Sequence, residues 1–171
     1  ILFFIVIYKL DVVVATALLT PFLMQTGFTK TDIFAVYKTF GFFATIAGGI
    51  VGGLIMTKIS VKKSLWLFGL LQGVSGLAFI LLAHFGQNYP LFVSAIALEN
   101  FCSAMGTTAY AVFLMSLCNV KFTATQYALL SSLMALTRVF AGAPTGFLAK
   151  AVGWEEYFVI SMLLMIPGLL M

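Results

Sequence analysis

Long, nearly uncharged apolar runs constrain this chain more than any other feature of its sequence. The runs continue for about twenty residues or more, which is the length that a helix needs to cross a bilayer. Strands of a membrane barrel are about ten residues long and alternate in polarity, a pattern that these runs do not show. Because lipid offers no hydrogen bonds to a backbone, each run must satisfy its own amides. The runs therefore predict transmembrane helices.

The composition excludes most classes of soluble protein. Of the 171 residues, 63% are hydrophobic and 8% are charged, and the mean hydropathy is +1.15. The formal net charge is +4, with a pI of about 9.2. However, the basic residues stand singly or in threes between apolar runs and do not cluster as a nucleic-acid-binding patch would. This distribution is typical of the positive-inside rule for membrane proteins.

Glycine, proline, asparagine and short charged stretches divide the chain into six predicted spans. Their approximate bounds are 2–24, 31–57, 62–84, 90–117, 124–150 and 155–171. An even number of spans places both ends on the same side. Lysines favour the second and fourth connections over the first and fifth: Lys58, Lys62, Lys63 and Lys121 against Lys30 and Lys150. We expect the second and fourth connections and both ends to be cytoplasmic. The first residue is Ile within an apolar run, so we expect a segment of a longer protein.

Six strongly polar or ionisable side chains lie inside the predicted spans: Lys9, Asp11, Lys38, Glu99, Asn100 and Arg138. Each is costly in hydrocarbon and should face a cavity or a partner. Glu99 and Arg138 fall at similar depths near the membrane centre, which predicts an ion pair or a shared aqueous cavity. The alternative for this pair is a purely structural link between two helices. For Lys9, Asp11 and Lys38, the alternative is a side chain that reaches to the interface.

Motifs for catalysis or metal binding are missing from the sequence. It has no glycine-rich phosphate loop, no nucleophile elbow and no His-Glu-x-x-His pattern. His84 stands near a predicted helix end without a cysteine or carboxylate at ligand spacing, so we predict an interfacial histidine. We therefore predict neither a cofactor, nor a metal, nor an enzyme.

Two local patterns predict helix starts and helix packing. Thr123 and Gln126 have the spacing of a capping box, and Thr29 with Asp32 forms a weaker version of it. Four glycines in the second span predict a small-residue face that lets a neighbouring backbone approach. These glycines are Gly48, Gly49, Gly52 and Gly53.

The second connection contains a superfamily-like motif. It reads Gly53-Leu-Ile-Met-Thr57-Lys58-Ile-Ser60-Val-Lys62-Lys63. This resembles the Gly-x-x-x-Asp-Arg-x-Gly-x-Arg-Arg loop of the major facilitator superfamily, with Thr57 in place of the acid and Ser60 in place of a glycine. The resemblance implies a gating loop that includes Gly53, Lys58, Lys62 and Lys63.

A more specific stretch begins at Glu99-Asn100 and continues through Cys118-Asn119 to Thr125-Gln126. It resembles the AmpG-type muropeptide permease family, which has a similar Glu-Asn helix and a Leu-Cys-Asn-x-x-x-x-Ala-Thr-Gln loop. Further matches extend the resemblance over nearly the whole chain: Tyr8-Lys9-Leu10, Lys38-Thr-x-Gly41, Arg138, Gly153-Trp154 and Pro167-Gly168. The implied fold is the C-terminal six-helix half of a twelve-helix transporter.

The resemblance implies import of peptidoglycan fragments, the anhydro-muropeptides, across a bacterial inner membrane by proton symport. Lys9, Lys38 and Arg138 would then bind substrate carboxylates, Asn100 would offer amide hydrogen bonds, and Glu99 would carry the proton. Asp11 stands one position before the acid of the family, a step of about 100° around a helix. Other readings are an acetyl-coenzyme A or other solute transporter, a non-transporting membrane subunit or a membrane-embedded enzyme. The implied partners are lipid, an anionic glycopeptide, protons and an N-terminal half.

Overall fold

The described part of the chain forms six helical segments. A computed structural model describes residues 2–142 and 144–169. The first segment consists of the helices Leu2–Ile7, Leu10–Ala17 and Leu19–Gln25, and the second of Lys30–Val36, the π-helical turn Tyr37–Gly41 and Phe42–Met56. The third consists of Val61–Ser75 and Leu77–Phe85, and the fourth is the single helix Tyr89–Leu117. The fifth consists of Thr123–Gly142 and Thr145–Val152, and the sixth of Trp154–Leu163 and Met165–Leu169. A 3-10 turn, Val120–Phe122, precedes the fifth segment. The predicted bounds agree to within a few residues, except that positions 143, 170 and 171 lie outside the described residues.

Length and hydropathy identify four of these segments as able to cross a membrane: Phe4–Gln25, Lys30–Met56, Val61–Phe85 and Thr123–Val152. The fourth segment, Tyr89–Leu117, is 29 residues long but contains the polar pair Glu99 and Asn100 near its middle. The described part of the sixth segment is shorter than the others. The chain is thus an all-α, multi-pass membrane protein, as its apolar runs predict.

Prolines explain two of the breaks within the segments. A helical proline has no N–H group, and its ring clashes with the carbonyl four residues earlier. The helices Leu10–Ala17 and Trp154–Leu163 each end four residues before a proline, Pro21 and Pro167 respectively. The helix then restarts with the proline in its first turn, where the missing N–H group costs little.

Tyrosine side chains hydrogen-bond to carbonyls that the breaks in the first segment leave free. The hydroxyl of Tyr110 donates to the Ile5 carbonyl at 2.8 Å, next to the break after Ile7. The hydroxyl of Tyr157 donates to the Val14 carbonyl, next to the break at Leu18. Both tyrosines are fully buried. Because lipid cannot satisfy a free carbonyl, these bonds allow the first segment to be discontinuous inside the membrane.

Polar contacts tie the first, third and fifth connections together at one end of the bundle. Gln87 donates to the Gly27 carbonyl at 2.8 Å, and the Trp154 indole donates to Gln25 at 2.9 Å. His84 pairs with Glu155 at 3.2 Å. His84 is exposed near a helix end, in keeping with an interfacial position. The three connections therefore share one end, as six alternating segments require.

The glycine face of the second segment is narrower than the sequence predicts. A Cβ atom on Gly48 would lie 2.3 Å from the Phe101 carbonyl oxygen, and one on Gly52 would lie 3.0 Å from the Met105 Cα. Gly49 and Gly53 have nothing within 4 Å of an added Cβ. Of these four glycines, Gly48 and Gly52 allow the second and fourth segments to approach, because an added Cβ on either of the other two would meet nothing within 4 Å.

Substitution of Gly48 by alanine tests this contact. We expect Gly48→Ala to lower the free energy of unfolding by about 1–3 kcal/mol, since the new methyl group meets backbone and not a mobile side chain. Gly53→Ala is the matched control and should change stability by no more than about 1 kcal/mol, in the stabilising direction. Unfolding in mixed micelles measures both effects. Equal stability of the two variants would contradict the close contact.

Candidate functional site: a buried polar network and an adjoining groove

A layer of buried polar side chains separates two apolar cores. One core contains Phe22, Phe79 and Phe158, and the other contains Phe68 and Tyr110. Between them, the first segment contributes Lys9 and Asp11, the third contributes Gln72 and Ser75, and the fourth contributes Glu99. The three charged members of this network, Lys9, Asp11 and Glu99, are each 6% exposed. This burial agrees with the expectation that intramembrane charges face the bundle interior.

Gln72 bridges the two charges of the first segment. The Lys9 amine donates to Gln72 Oε1 at 3.0 Å, and Gln72 Nε2 donates to Asp11 Oδ2 at 3.0 Å. Lys9 lies at a break in the helix, where it precedes Leu10–Ala17. The break turns both Lys9 and Asp11 inward although they are two positions apart, a spacing that would place them on different faces of a regular helix. The bridge fixes the amide orientation of Gln72.

Ser75 can satisfy Glu99 in either protonation state. Its Oγ lies 2.5 Å from Glu99 Oε2 and 2.6 Å from the Gln72 carbonyl oxygen. A hydroxyl has one proton, so Ser75 donates to one of these oxygens at a time. When Glu99 is ionised, Ser75 donates to the carboxylate. When Glu99 is protonated, the carboxyl can donate to Ser75 while Ser75 donates to Gln72. A buried acid can therefore gain or lose a proton here without losing its hydrogen bond.

Gly106 leaves space for the Lys9–Gln72 bond. A Cβ atom at Gly106 would lie 2.7 Å from Gln72 Oε1 and 3.5 Å from the Lys9 amine. The next residue, Thr107, accepts a hydrogen bond from the Lys9 amine at 3.3 Å and is itself exposed. Lys9 therefore connects the buried network with the surface of the fourth segment.

A polar groove of about 350 Å³ lies on the outer side of this connection, between the second and fourth segments. Its lining is rich in hydroxyl groups and includes Thr45, Asn100, Ser103, Thr107 and Thr108. Asn100 donates to the Ile96 carbonyl at 2.8 Å, and its Oδ1 lies 3.4 Å from the Thr45 hydroxyl, which donates to the Gly41 carbonyl at 2.8 Å. The groove can offer hydrogen bonds to a polar ligand, and Thr107 belongs to both the groove and the buried network.

The predicted pair of Glu99 and Arg138 does not form. Glu99 is buried against Ser75, whereas Arg138 is an exposed residue of Thr123–Gly142. Within residues 2–142 and 144–169, the ion pair that the structure shows is His84–Glu155. The reason is that the inward turn of the first segment gives Glu99 a local polar environment without an arginine.

The other predicted site residues lie in different surroundings. Lys38 is exposed within the π-helical turn, with its amine 5.5 Å from the centre of the Phe34 ring. Lys9 is buried and hydrogen-bonded inside the network, so it is not free to bind a substrate in the groove. Of the three cations predicted to bind carboxylates, Lys38 and Arg138 are accessible.

Sequence analysis missed Gln72, Ser75 and Thr107. Gln72 and Ser75 are three residues apart in a strongly apolar run, which places them on one helix face. Gln72 could therefore have been predicted as a site residue, because a strongly polar amide inside an apolar span is costly without a partner. Thr107 had no comparable signal, because a threonine in a membrane helix can satisfy itself on its own backbone, as Thr107 also does with Ser103.

The two family-like loops lie at helix ends. Lys58, Lys62 and Lys63 are exposed at the second connection, and the Thr57 hydroxyl donates to the Leu54 carbonyl of its own helix at 2.7 Å. In the fourth connection, the backbone N–H of Asn119 donates to Gln126 Oε1 at 2.6 Å, and the side-chain Oδ1 of Asn119 accepts from the backbone N–H of Lys121 at 3.0 Å.

The structure shows how the helices that follow the first and fourth connections begin, and which group the thiol of Cys118 contacts. Gln126 reaches back beyond the predicted capping position to Asn119, because a 3-10 turn precedes the helix. Thr29 and Asp32 form a complete capping box. The Cys118 thiol donates to the Leu114 carbonyl at 3.2 Å, and Thr125 is exposed.

Removing the Gln126 side chain tests the closure of this loop. Gln126→Ala should cost about 1 kcal/mol locally, so amide exchange of Asn119 should accelerate about fivefold. Thr125→Ala, on the exposed neighbour, is the control and should leave that exchange rate unchanged. Hydrogen exchange of the peptide covering 118–126 makes the measurement. Equal rates in all three proteins would show that the Asn119–Gln126 bond does not hold the loop.

The bundle and its internal polar layer define the class of the chain. Six helical segments around buried charges are consistent with the six-helix half of a major-facilitator-type fold that the sequence predicts.

Curated relatives then identify the family. The chain is 40% identical over 172 aligned residues to the anhydromuropeptide permease of Escherichia coli, an alignment covering 100% of the chain and 35% of that protein. It is 37% identical to the transporter AmpG 4 of Rickettsia felis and 36% identical to the transporter AmpG 1 of Rickettsia prowazekii. Those alignments cover 99% of the chain and 41% and 38% of the relatives. The chain therefore belongs to the AmpG-type permease family.

The chain spans less than half the length of these relatives, which is consistent with the predicted C-terminal six-helix half. No protein-family model matches it. The relatives are named as permeases or transporters, which confirms the prediction that the chain is not an enzyme.

Proposed function

We propose that the chain is the C-terminal half of a secondary transporter that imports anhydro-muropeptides across the bacterial inner membrane by proton symport. The observation that supports transport is the buried network of Lys9, Gln72, Asp11, Ser75 and Glu99, next to an open polar groove. Buried charges of this kind in a membrane protein usually belong to ion or substrate pathways. The name of the relative from Escherichia coli supports the cargo.

Glu99 is the proposed proton carrier. It is buried, and Ser75 can hydrogen-bond to its ionised and its protonated form. A carrier of this kind must release its proton when the site opens to the other side of the membrane. Substrate binding and protonation are coupled if each favours the same conformation of the transporter.

The groove is the proposed contact surface for the sugar and peptide groups of the cargo. Its hydroxyl groups and the Asn100 amide can donate to and accept from sugar hydroxyls and peptide amides. The accessible cations Lys38 and Arg138 are the proposed partners of the cargo carboxylates. Arginine suits this role because its guanidinium binds a carboxylate through two parallel hydrogen bonds.

The proposal includes an orientation of the six segments in the membrane. Both ends of the segment and the second and fourth connections, with Lys58, Lys62, Lys63 and Lys121, face the cytoplasm, in agreement with the positive-inside rule. The polar end formed by Gln25, Gln87 and Trp154 then faces the periplasm. An N-terminal half encloses the cargo from the opposite side, as in other transporters built from repeats.

Neutralising Glu99 tests proton coupling. In liposomes that contain the intact transporter, Glu99→Gln should abolish uptake of labelled anhydro-muropeptide driven by a proton gradient. Exchange of labelled for unlabelled substrate should continue in part, because exchange requires no net proton movement. Glu156→Gln, at an exposed helix start, is the matched control and should retain both activities. Equal loss of uptake and exchange in Glu99→Gln would assign Glu99 to binding or structure instead.

Arg138→Lys tests recognition of the cargo carboxylates. Because lysine cannot form the two parallel bonds of a guanidinium, we expect the affinity for acidic muropeptides to fall about tenfold and that for the neutral anhydro-sugar to change little. Lys150→Arg, at the exposed end of the same segment, is the control. Competition binding measures both affinities, with coenzyme A thioesters as a third competitor. Unchanged affinity for both muropeptide and sugar would remove Arg138 from the site, and preferential binding of the thioesters would replace the proposed cargo.

A further inference from the structure

A small cavity lies between the two buried acids. Asp11 and Glu99 both line it, together with Gln72, Ser161 and Gly73. Its volume is about 10 Å³, close to the space that one water molecule needs. A water molecule also needs several polar partners, and the acids, the amide and the serine hydroxyl supply them. Both acidic residues therefore border the same water-sized space.

One oxygen of Asp11 is left without a partner. Its Oδ2 accepts from Gln72, whereas Oδ1 is buried and has no hydrogen-bond partner among the described residues. Asp11 lines the cavity and is more than nine-tenths buried. An unsatisfied carboxylate oxygen in such a site is costly, so it calls for a proton or for a donor in the cavity.

The charges of the network do not balance. Lys9 contributes one positive charge, and ionised Asp11 and Glu99 contribute two negative charges. The other titratable side chains in electrostatic reach of the two acids are Tyr8, Tyr37 and Cys102. Tyrosine and cysteine are ordinarily uncharged at neutral pH. The group therefore has a net charge of −1 when both acids are ionised, and one added positive charge makes it neutral.

We propose that Asp11 and Glu99 form a single proton-binding unit, which holds one exchangeable proton between them across the water-sized cavity. Gln72 and Ser75 are positioning residues: Gln72 fixes Asp11 against Lys9, and Ser75 fixes Glu99. The inference deepens the proposed function, because this proton is the coupling proton of the transport cycle. Asp11 thereby acquires a role although it stands one position away from the acid of the family.

Infrared spectroscopy of the intact transporter in lipid, without substrate, tests the unit. The probe is the carbonyl band of protonated carboxyl groups at pH 7. In a shared unit, Asp11→Asn and Glu99→Gln each leave one acid balanced by Lys9, so either change should lower the protonated fraction at least about tenfold. Asp32→Asn, which alters a partly buried capping residue outside the network, is the control and should leave the band unchanged. Asp11→Glu should restore the band, and circular dichroism checks that each variant is helical.

Other outcomes would overturn the shared unit. An unchanged band in Asp11→Asn would mean that Glu99 holds its proton alone, and an unchanged band in Glu99→Gln would assign the proton to Asp11 alone. Suppression of the wild-type band by sodium chloride but not by choline chloride would replace the proton with a sodium ion. The measurement uses no cargo, so a wrong assignment of muropeptide as substrate would leave its result standing.

Discussion

A hydrocarbon environment cannot hydrogen-bond to a protein, and this constraint organises the chain around its discontinuous first segment. A break in a spanning helix frees carbonyl groups that neighbouring helices must satisfy. Tyr110 of the fourth segment and Tyr157 of the sixth do so at the Ile5 and Val14 carbonyls. The same break near Lys9 turns that residue and Asp11 toward the third and fourth segments. The break between Ile7 and Leu10 thus accounts both for the hydrogen bond from Tyr110 to the backbone and for the assembly of the charged network.

The network satisfies its charges mainly through neutral polar groups. No direct ion pair joins Lys9 to Asp11 or Glu99 among the described contacts, and the Gln72 amide stands between the first two. A direct buried pair would bind each charge strongly and resist a change of protonation. An amide bridge and a serine hydroxyl instead provide hydrogen bonds that can rearrange when a proton arrives or leaves. Hydrogen bonds that can rearrange in this way suit a site that must bind and release a proton repeatedly.

Hydropathy and charge predict the helical class, the number of segments and their bounds, because lipid imposes these features locally on each run. They also single out Lys9, Asp11 and Glu99 as side chains that need a cavity or a partner, with an interfacial position left open for Lys9 and Asp11, and all three are buried. The partners of these residues were not predictable in the same way. Pairing Glu99 with Arg138 used depth alone, whereas the actual neighbour depends on rotation of each helix about its axis. That rotation follows from close contacts such as Gly48 with Phe101 and Gly106 with Gln72, which depth does not encode.

Thr107 gives the proposed coupling a physical route. The residue accepts from the Lys9 amine and lines the open groove, so a ligand that takes its hydroxyl competes with Lys9. Loss of that contact leaves the Lys9 charge more dependent on Gln72, and through Gln72 on Asp11. Occupancy of the groove then changes the electrostatic environment of both buried acids without direct contact between cargo and acid. By linkage, protonation of the acids must change cargo affinity to the same extent.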